Sequence, residues 1–264
     1  MGTVISRDGT EIVFERSGSG PALIVVDGAL CHRAFGPSRG LAKRLSSHFT
    51  VHVYDRRGRG ESGDTGPYAI GREVEDLEAL IKEAGGSVFL CGFSSGAVLA
   101  LEAATALPSV TRVALYEAPF VVDDTGTPIP RDFVERLQGQ VASGHRGAAV
   151  DAFMKLVGTP AVFRVVMRAT PVWPKLKSVA HTLPYDITVM NVHESGKPIA
   201  AARWASLTAP ALVMDGGKSP QWMRNTTREL AAAVPGARHR TLPGQTHMVK
   251  PDAIVPELTA FFTE

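Results

Sequence analysis

Along the first third of the chain, short apolar runs alternate with helically spaced apolar positions. Thr3 to Ser6 and Thr10 to Arg16 are β-rich runs flanking Arg7-Asp8-Gly9, the composition of a hairpin turn. Ser17-Gly18-Ser19-Gly20-Pro21 marks a second turn before Ala22 to Val26, an unbroken apolar run that ends at Asp27-Gly28. A run apolar on both faces suits a central strand buried from both sides. Val51 to Tyr54 is a similar run, and Gly36 to Leu45 between them reads as a helix. From Glu73 to Glu83, the spacing puts Val74, Leu77, Leu80 and Ile81 on one helical face, and Gly85-Gly86 supplies the stop. Ser87 to Cys91 then reads as a strand, Ser95 to Leu107 as a helix of small residues, and Val110 to Tyr116 as another strand. This strand–helix alternation predicts an α/β protein with a mostly parallel sheet covered on both faces.

Between about Phe120 and Leu207 the β pattern disappears. Phe133 to Val141 and Ala148 to Val157 read as helices, and Met167 to Pro184 is rich in proline and aromatic residues. Ala211 to Asp215 resumes as a strand, Met223 to Val234 as a helix, His239 to Leu242 as a strand and Pro251 to Phe262 as a last helix. The expected organisation is therefore a core of residues 1–120 and 207–264, with residues 121–206 as a helical cap inserted after the sixth strand. No internal repeat or low-complexity segment interrupts it.

Composition narrows the classes of function. With 264 residues, 44% hydrophobic and 20% charged, the chain carries enough apolar sequence for a full core. Lys plus Arg number 28 against 26 Asp plus Glu, a formal net charge of +2, which removes the main electrostatic motive for binding nucleic acid. No apolar run approaches the roughly 18 residues of a membrane span. Met1-Gly2-Thr3-Val4 lacks the basic and apolar stretches of a secretory signal. Two cysteines, Cys31 and Cys91, are too few for a disulfide scaffold and point to a reduced, cytoplasmic setting, although one bridge between them stays compatible with the sequence. No pair of the eight histidines has metal-ligand spacing, so neither a metal nor a cofactor is expected.

Chemistry enters at Gly92-Phe93-Ser94-Ser95-Gly96, which follows the apolar strand and opens the small-residue helix. G-x-S-x-G in that context is a strained strand-to-helix turn that lifts a serine out of the sheet, and small residues two before and two after it permit the tight packing. The helix behind it aims its first N–H groups at any negative charge developing there. The alternative reading, a Gly-Ser turn without chemistry, loses weight in this setting.

With these features the chain resembles the α/β-hydrolase family over nearly its whole length. The resemblance implies a mostly parallel eight-stranded sheet flanked by helices, with the helical cap after strand six. Tyr54-Asp55-Arg56-Arg57-Gly58-Arg59-Gly60-Glu61-Ser62 looks like the family's loop after its fourth strand and is read as shaping the end of the sheet. In the family the general base lies between the last strand and the last helix, which here is Gly244-Gln245-Thr246-His247. A serine hydroxyl is a poor nucleophile until an imidazole takes its proton, which gives His247 its implied role.

The acid departs from the common pattern. Many relatives carry it three residues after the glycine that ends strand seven, but in Asp215-Gly216-Gly217-Lys218-Ser219 that place is taken by Ser219. Two candidates remain. Glu117 follows strand six, where the zearalenone-type lactone hydrolases of the family keep their acid, and Val26-Asp27-Gly28 and Pro171-Val172-Trp173 look like that branch too. Asp215 is the fallback, one residue before the glycine. Glu117 is preferred, and the acid would fix the histidine tautomer and stabilise the imidazolium.

Acyl transfer needs donors for an oxyanion, and the resemblance implies the N–H of Ser95 and that of Ala29, with Gly28 allowing close approach. Asp27 either holds this loop by hydrogen bonds, the favoured reading, or tunes His247. Trp173, Leu30, Phe120 and Met248 are candidate pocket residues, each with core packing as the plainer alternative. The leading expectation is a serine hydrolase opening a small apolar ester or lactone through an acyl-serine, with no nucleic acid or membrane partner. The competing expectations are a non-hydrolytic enzyme on the same fold (acyltransferase, lyase or cyclase) and a receptor-like protein that binds a ligand.

Overall fold

A computed structural model describes residues 1–264. β1 (Gly2–Ile5) and β2 (Glu11–Ser17) pair antiparallel around the turn at Arg7-Asp8-Gly9, where Gly9 takes a positive φ of 86°. β3 (Ala22–Val26), β4 (Thr50–Tyr54), β5 (Val88–Phe93), β6 (Val110–Tyr116), β7 (Ala211–Gly216) and β8 (Arg238–Leu242) complete one eight-stranded sheet, ordered β1-β2-β4-β3-β5-β6-β7-β8. From β4 to β8 every pairing is parallel, while β2 meets β4 antiparallel. The mostly parallel sheet is therefore as the sequence pattern predicts.

The crossovers are α1 (Ser38–Leu45), α2 (Ile70–Glu83), α3 (Ser95–Ala106), α9 (Gln221–Ala233) and α10 (Pro251–Thr263). Alternate strand residues feed two cores. Ile24, Leu90, Val113 and Val213 pack toward α2, α3 and α9, whereas Leu23, Val25, Cys91 and Met214 pack toward α1 and α10. α2 begins three residues earlier than its apolar spacing indicates, because Ile70 extends the face of Val74 and Leu77 that meets the core. β5 continues two residues past Cys91. Cys31 and Cys91 are unbridged. No helix is long and apolar enough to cross a membrane.

Between β6 and β7 lie α4 (Phe133–Ala142), α5 (Arg146–Leu156), α6 (Ala161–Arg168), α7 (Val172–Ser178) and α8 (Leu183–Met190), with no strand among them. They share a separate apolar cluster that includes Phe133, Leu137, Phe153, Leu176 and Ile187 and takes in Leu30 from the loop after β3. The proline-rich stretch is helical, as expected of the insertion. Pro174 and Pro184 fall in first turns, where a backbone N–H has no intrahelical partner to lose. α6 is outermost: none of its residues is buried, and Val162, Phe163, Val165 and Val166 face solvent. α8 is the innermost helix, seated against α3 and α2, with Tyr185 stacked on Tyr68 at 4.0 Å.

Candidate active site

Ser94 sits between β5 and α3 with φ 54° and ψ −128°. An L-residue held there stores on the order of 1–3 kcal/mol of strain, which the surroundings must enforce. They do so by contact. A Cβ on Gly92 would lie 2.4 Å from the Gly96 carbonyl oxygen, and one on Gly96 would lie 2.3 Å from that of Val26. Both glycines of the motif are thus required by backbone crowding. Gly28 presses on the serine itself, since its added Cβ would meet Ser94 Cβ at 2.9 Å.

Sheet register aligns Glu117 with Ser94. β5 and β6 pair through Phe93 and Tyr116, so Ser94 and Glu117 are each the first residue beyond aligned strand ends. The Ser94 N–H donates to the Tyr116 carbonyl and the Glu117 N–H to that of Met214, both at 2.9 Å. Leu30, Ser94 and Glu117 are the three non-glycine residues with positive φ, at 62°, 54° and 49°. All three follow the C-terminal ends of neighbouring strands, where doubly wound sheets carry their sites.

Glu117 is fully buried. Its Oε2 lies 2.7 Å from His247 Nδ1. Its Oε1 accepts the Gly216 N–H at 2.7 Å and the Ser219 hydroxyl. Ser219 therefore serves the carboxylate that follows β6. A carboxylate only accepts, so in the neutral ring Nδ1 carries the proton and Nε2 keeps its lone pair. The loop holding His247 is tied down independently. Lys218 N–H donates to the Gln245 carbonyl at 2.8 Å, and the Tyr116 hydroxyl donates to that of Thr246 at 2.7 Å. The imidazole is 40% exposed. Ser94 makes no side-chain hydrogen bond to it in this resting arrangement; in enzymes such contacts often tighten only around a substrate.

Asp215 faces elsewhere. Its Oδ1 accepts His239 Nε2 at 3.0 Å and the Thr241 hydroxyl at 2.8 Å, both from β8. As a residue inside β7, its side chain points at the next strand rather than over the sheet end, so the fallback acid is corrected: it is not joined to His247.

The arginine-rich loop after β4 is buried. Arg56, Arg57 and Arg59 are each about 1% exposed. Arg57 grips Asp76 with two bonds of 2.8 and 2.7 Å, and Arg56 grips Glu73 in the same way at 2.7 and 2.6 Å. Arg59 donates to the carbonyls of Gly28 at 2.7 Å and Cys31 at 3.3 Å. Arg56 and Arg59 also share Asp186 of α8, which the sequence reading missed. Three arginines from one short loop, with Arg33 buried in the loop after β3, demand buried anions, and that demand is the signal the sequence offers. Ser95 opens α3, where an N–H has no intrahelical acceptor. Ala29 lies inside the turn closed by Cys31 N–H to the Gly28 carbonyl at 3.4 Å.

Neither carboxylate oxygen of Asp27 has a hydrogen-bond partner of ordinary geometry. Burial pushes its pKa up to about 6 against the smaller opposing effects of the Ser38 hydroxyl, Arg59 and Arg56. A raised folded-state pKa favours the protonated form, so stability is fully present below about pH 4 and is lost as pH rises through about 6. Asp27→Asn mimics the protonated acid. It is expected to stabilise the fold by on the order of 3 kcal/mol at pH 8 and to change nothing at pH 3.5, as read from denaturant melts at both values.

Two pocket candidates make their contacts elsewhere in the structure. Phe120 is 1% exposed and packs between Trp204 and His193, with ring centroids at 5.7 and 5.6 Å. Trp173 rests on Gly147 and under Arg168, and lines a shallow groove with Arg146 and Lys177 that contains none of Ser94, Glu117 or His247. Leu30 is buried in the cluster of the inserted helices, while Met248, beside His247, is 79% exposed. A small apolar cavity of about 80 Å³ lies where Pro119 and Val121 meet Leu156, Val157 and Met190.

A family model described as "Alpha/beta hydrolase family" matches residues 20–257. Among solved structures, the chain is similar to an alpha/beta hydrolase from Sphaerobacter thermophilus DSM 20745, 53% identical, covering 99% of this chain and 100% of that one, with a TM-score of 0.91. An enol-lactonase from Burkholderia xenovorans LB400 is 23% identical over the full length of both chains with a TM-score of 0.73, a likeness of fold. A pimeloyl-(acyl-carrier protein) methyl ester esterase of Stenotrophomonas maltophilia (strain R551-3) is 32% identical over 153 residues, 52% of this chain and 56% of that protein. The chain thus spans about half the length of the curated relatives it matches.

Proposed function

The chain belongs to the alpha/beta hydrolase family, and from that premise we propose that it is a serine hydrolase of small apolar carboxylic esters or lactones. The observation that carries this reading is the 2.7 Å contact of Glu117 with His247 Nδ1, at the sheet end where Ser94 is held in its strained turn. Ser94 Oγ attacks the carbonyl carbon while His247 Nε2 takes its proton. The alkoxide forms against the N–H groups of Ser95 and Ala29. Collapse expels the alcohol, or the lactone's own hydroxyl, which leaves with the proton from His247. Water then attacks the acyl-serine with His247 again as base, and the acid is released. Glu117 keeps the ring in the tautomer that accepts at Nε2 and stabilises the imidazolium. Residues 121–206 act as the cap over this centre. The ester and lactone classes are favoured by the names of the related proteins and by an acid placed after β6.

A fluorophosphonate reagent tests the reading. Intact-protein mass should show one phosphonyl adduct on the wild type and none on Ser94→Ala. A folded wild type that takes no adduct, or an adduct that persists in the variant, overturns it.

A further inference from the structure

We infer that Asp186, contributed by the inserted helices and not by the sheet, is a positioning residue that sets both halves of the oxyanion hole. The inference rests on the serine-hydrolase reading above. Asp186 is fully buried on α8, the helix seated against α3. Its Oδ1 accepts the Ser95 hydroxyl at 2.8 Å and Arg56 Nη1 at 2.9 Å, and both oxygens accept Arg59 Nη2 at 2.8 Å. Burial alone would raise its pKa, but Arg59 and Arg56 overcome that and hold it below the ordinary aspartate value.

The two arms of this carboxylate reach the two donors. On one side it fixes Ser95, whose N–H is the first of α3. On the other it orients Arg59, whose Nη1 holds the Gly28 carbonyl at 2.7 Å and the Cys31 carbonyl at 3.3 Å. Those carbonyls bracket the turn that carries Ala29. Leu30 in that turn is in the left-handed region at φ 62°, so the turn does not hold its shape unaided. One side chain thus sets the distance between donors that come from separate loops. A buried ion pair is a poor way merely to fasten a helix, since an apolar contact does this at lower desolvation cost. Its use here is directional.

The test uses the full chain and p-nitrophenyl acetate as probe ester, with kcat, KM and the pH profile measured separately. Losing one oxyanion donor typically lowers kcat by about 10²–10³-fold, so misaligning two without removing either is expected to lower it by about 10–100-fold. Asp186→Asn should show that loss with KM within about two-fold of wild type and the limb set by His247 unmoved. Ser95→Ala should show a smaller loss in kcat, and the double variant should be no slower than Asp186→Asn, because the two act as one unit. Asp76→Asn is the control: it breaks an equally buried pair with Arg57 that touches neither donor, so it should lower stability and leave kcat unchanged.

The inference is overturned if folded Asp186→Asn keeps kcat within two-fold of wild type, if KM carries the change, or if Asp76→Asn loses as much. Should Asp186→Asn fail to fold, an unchanged kcat in Ser95→Ala overturns it equally. A wild type that neither turns over the ester nor takes a fluorophosphonate adduct removes the hydrolase reading and this inference together. An active wild type with an indifferent Asp186→Asn removes the inference alone.

Discussion

His247→Ala is expected to lower kcat by about 10⁵–10⁶-fold, the scale on which removing either the nucleophile or its base abolishes turnover when the two work as a unit. On the proposed mechanism Ser94 has no other acceptor for its proton, since the imidazole is the single base the structure brings to this sheet end through Glu117. Ser94→Ala should cost as much, and the double variant no more than either alone. The fold should survive, because the His247 loop is held by the backbone of Lys218 and by the Tyr116 hydroxyl, neither of which involves the ring. Cooperative unfolding by circular dichroism checks the fold, and burst-phase kinetics check the chemistry. Retention of more than about 1% of wild-type kcat would remove His247 from the role of base.

Glu117→Gln has the next largest expected effect, a fall in kcat of about 10⁴-fold. The carboxylate accepts from three donors, His247 Nδ1, the Gly216 N–H and the Ser219 hydroxyl. A glutamine amide cannot satisfy that set. With its oxygen toward His247, its NH₂ meets the Gly216 and Ser219 donors; flipped, its NH₂ meets the Nδ1 proton and selects the wrong tautomer. Asp215→Asn is the contrasting variant. It loosens the tie to His239 and Thr241 between β7 and β8 and is expected to lower stability while changing kcat by less than about three-fold. The reverse pattern would return the acid to strand seven.

The sheet was legible because its signals are local. Each central strand is a short two-faced apolar run bounded by turn residues, and the helix spacing between them leaves a parallel sheet as the one economical topology. The turn at Ser94 is equally local, with Gly92, Gly96 and the preceding strand all within a few residues. Glu117 emerged by elimination together with family resemblance, and its left-handed backbone left no trace in the sequence. Long-range partners leave no such local signal. Asp186 lies 91 residues from Ser95 as the one charged residue of its helix, and nothing nearby in the chain announces the arginines it meets. Glu73 and Asp76 fall in the same helical stripe as Leu77 and Leu80, a position that marks acids destined for burial, and both are 1% exposed. Trp173 and Phe120 are ambiguous in the sequence because an aromatic beside proline has the same pattern in a pocket as in a packed interior.

The left-handed backbone at Leu30, Ser94 and Glu117 also constrains how this protein can be improved. Strain released by glycine at such a position is a gain in resistance to heat, and at Ser94, which is only half-buried, little packing is lost in exchange. A library sorted for survival at high temperature alone would therefore enrich glycine at position 94 and, on the proposed mechanism, deliver a folded, silent protein. Directed evolution of this scaffold toward hotter conditions has to carry a turnover screen in every round, because one stabilising step runs through the serine proposed as the nucleophile.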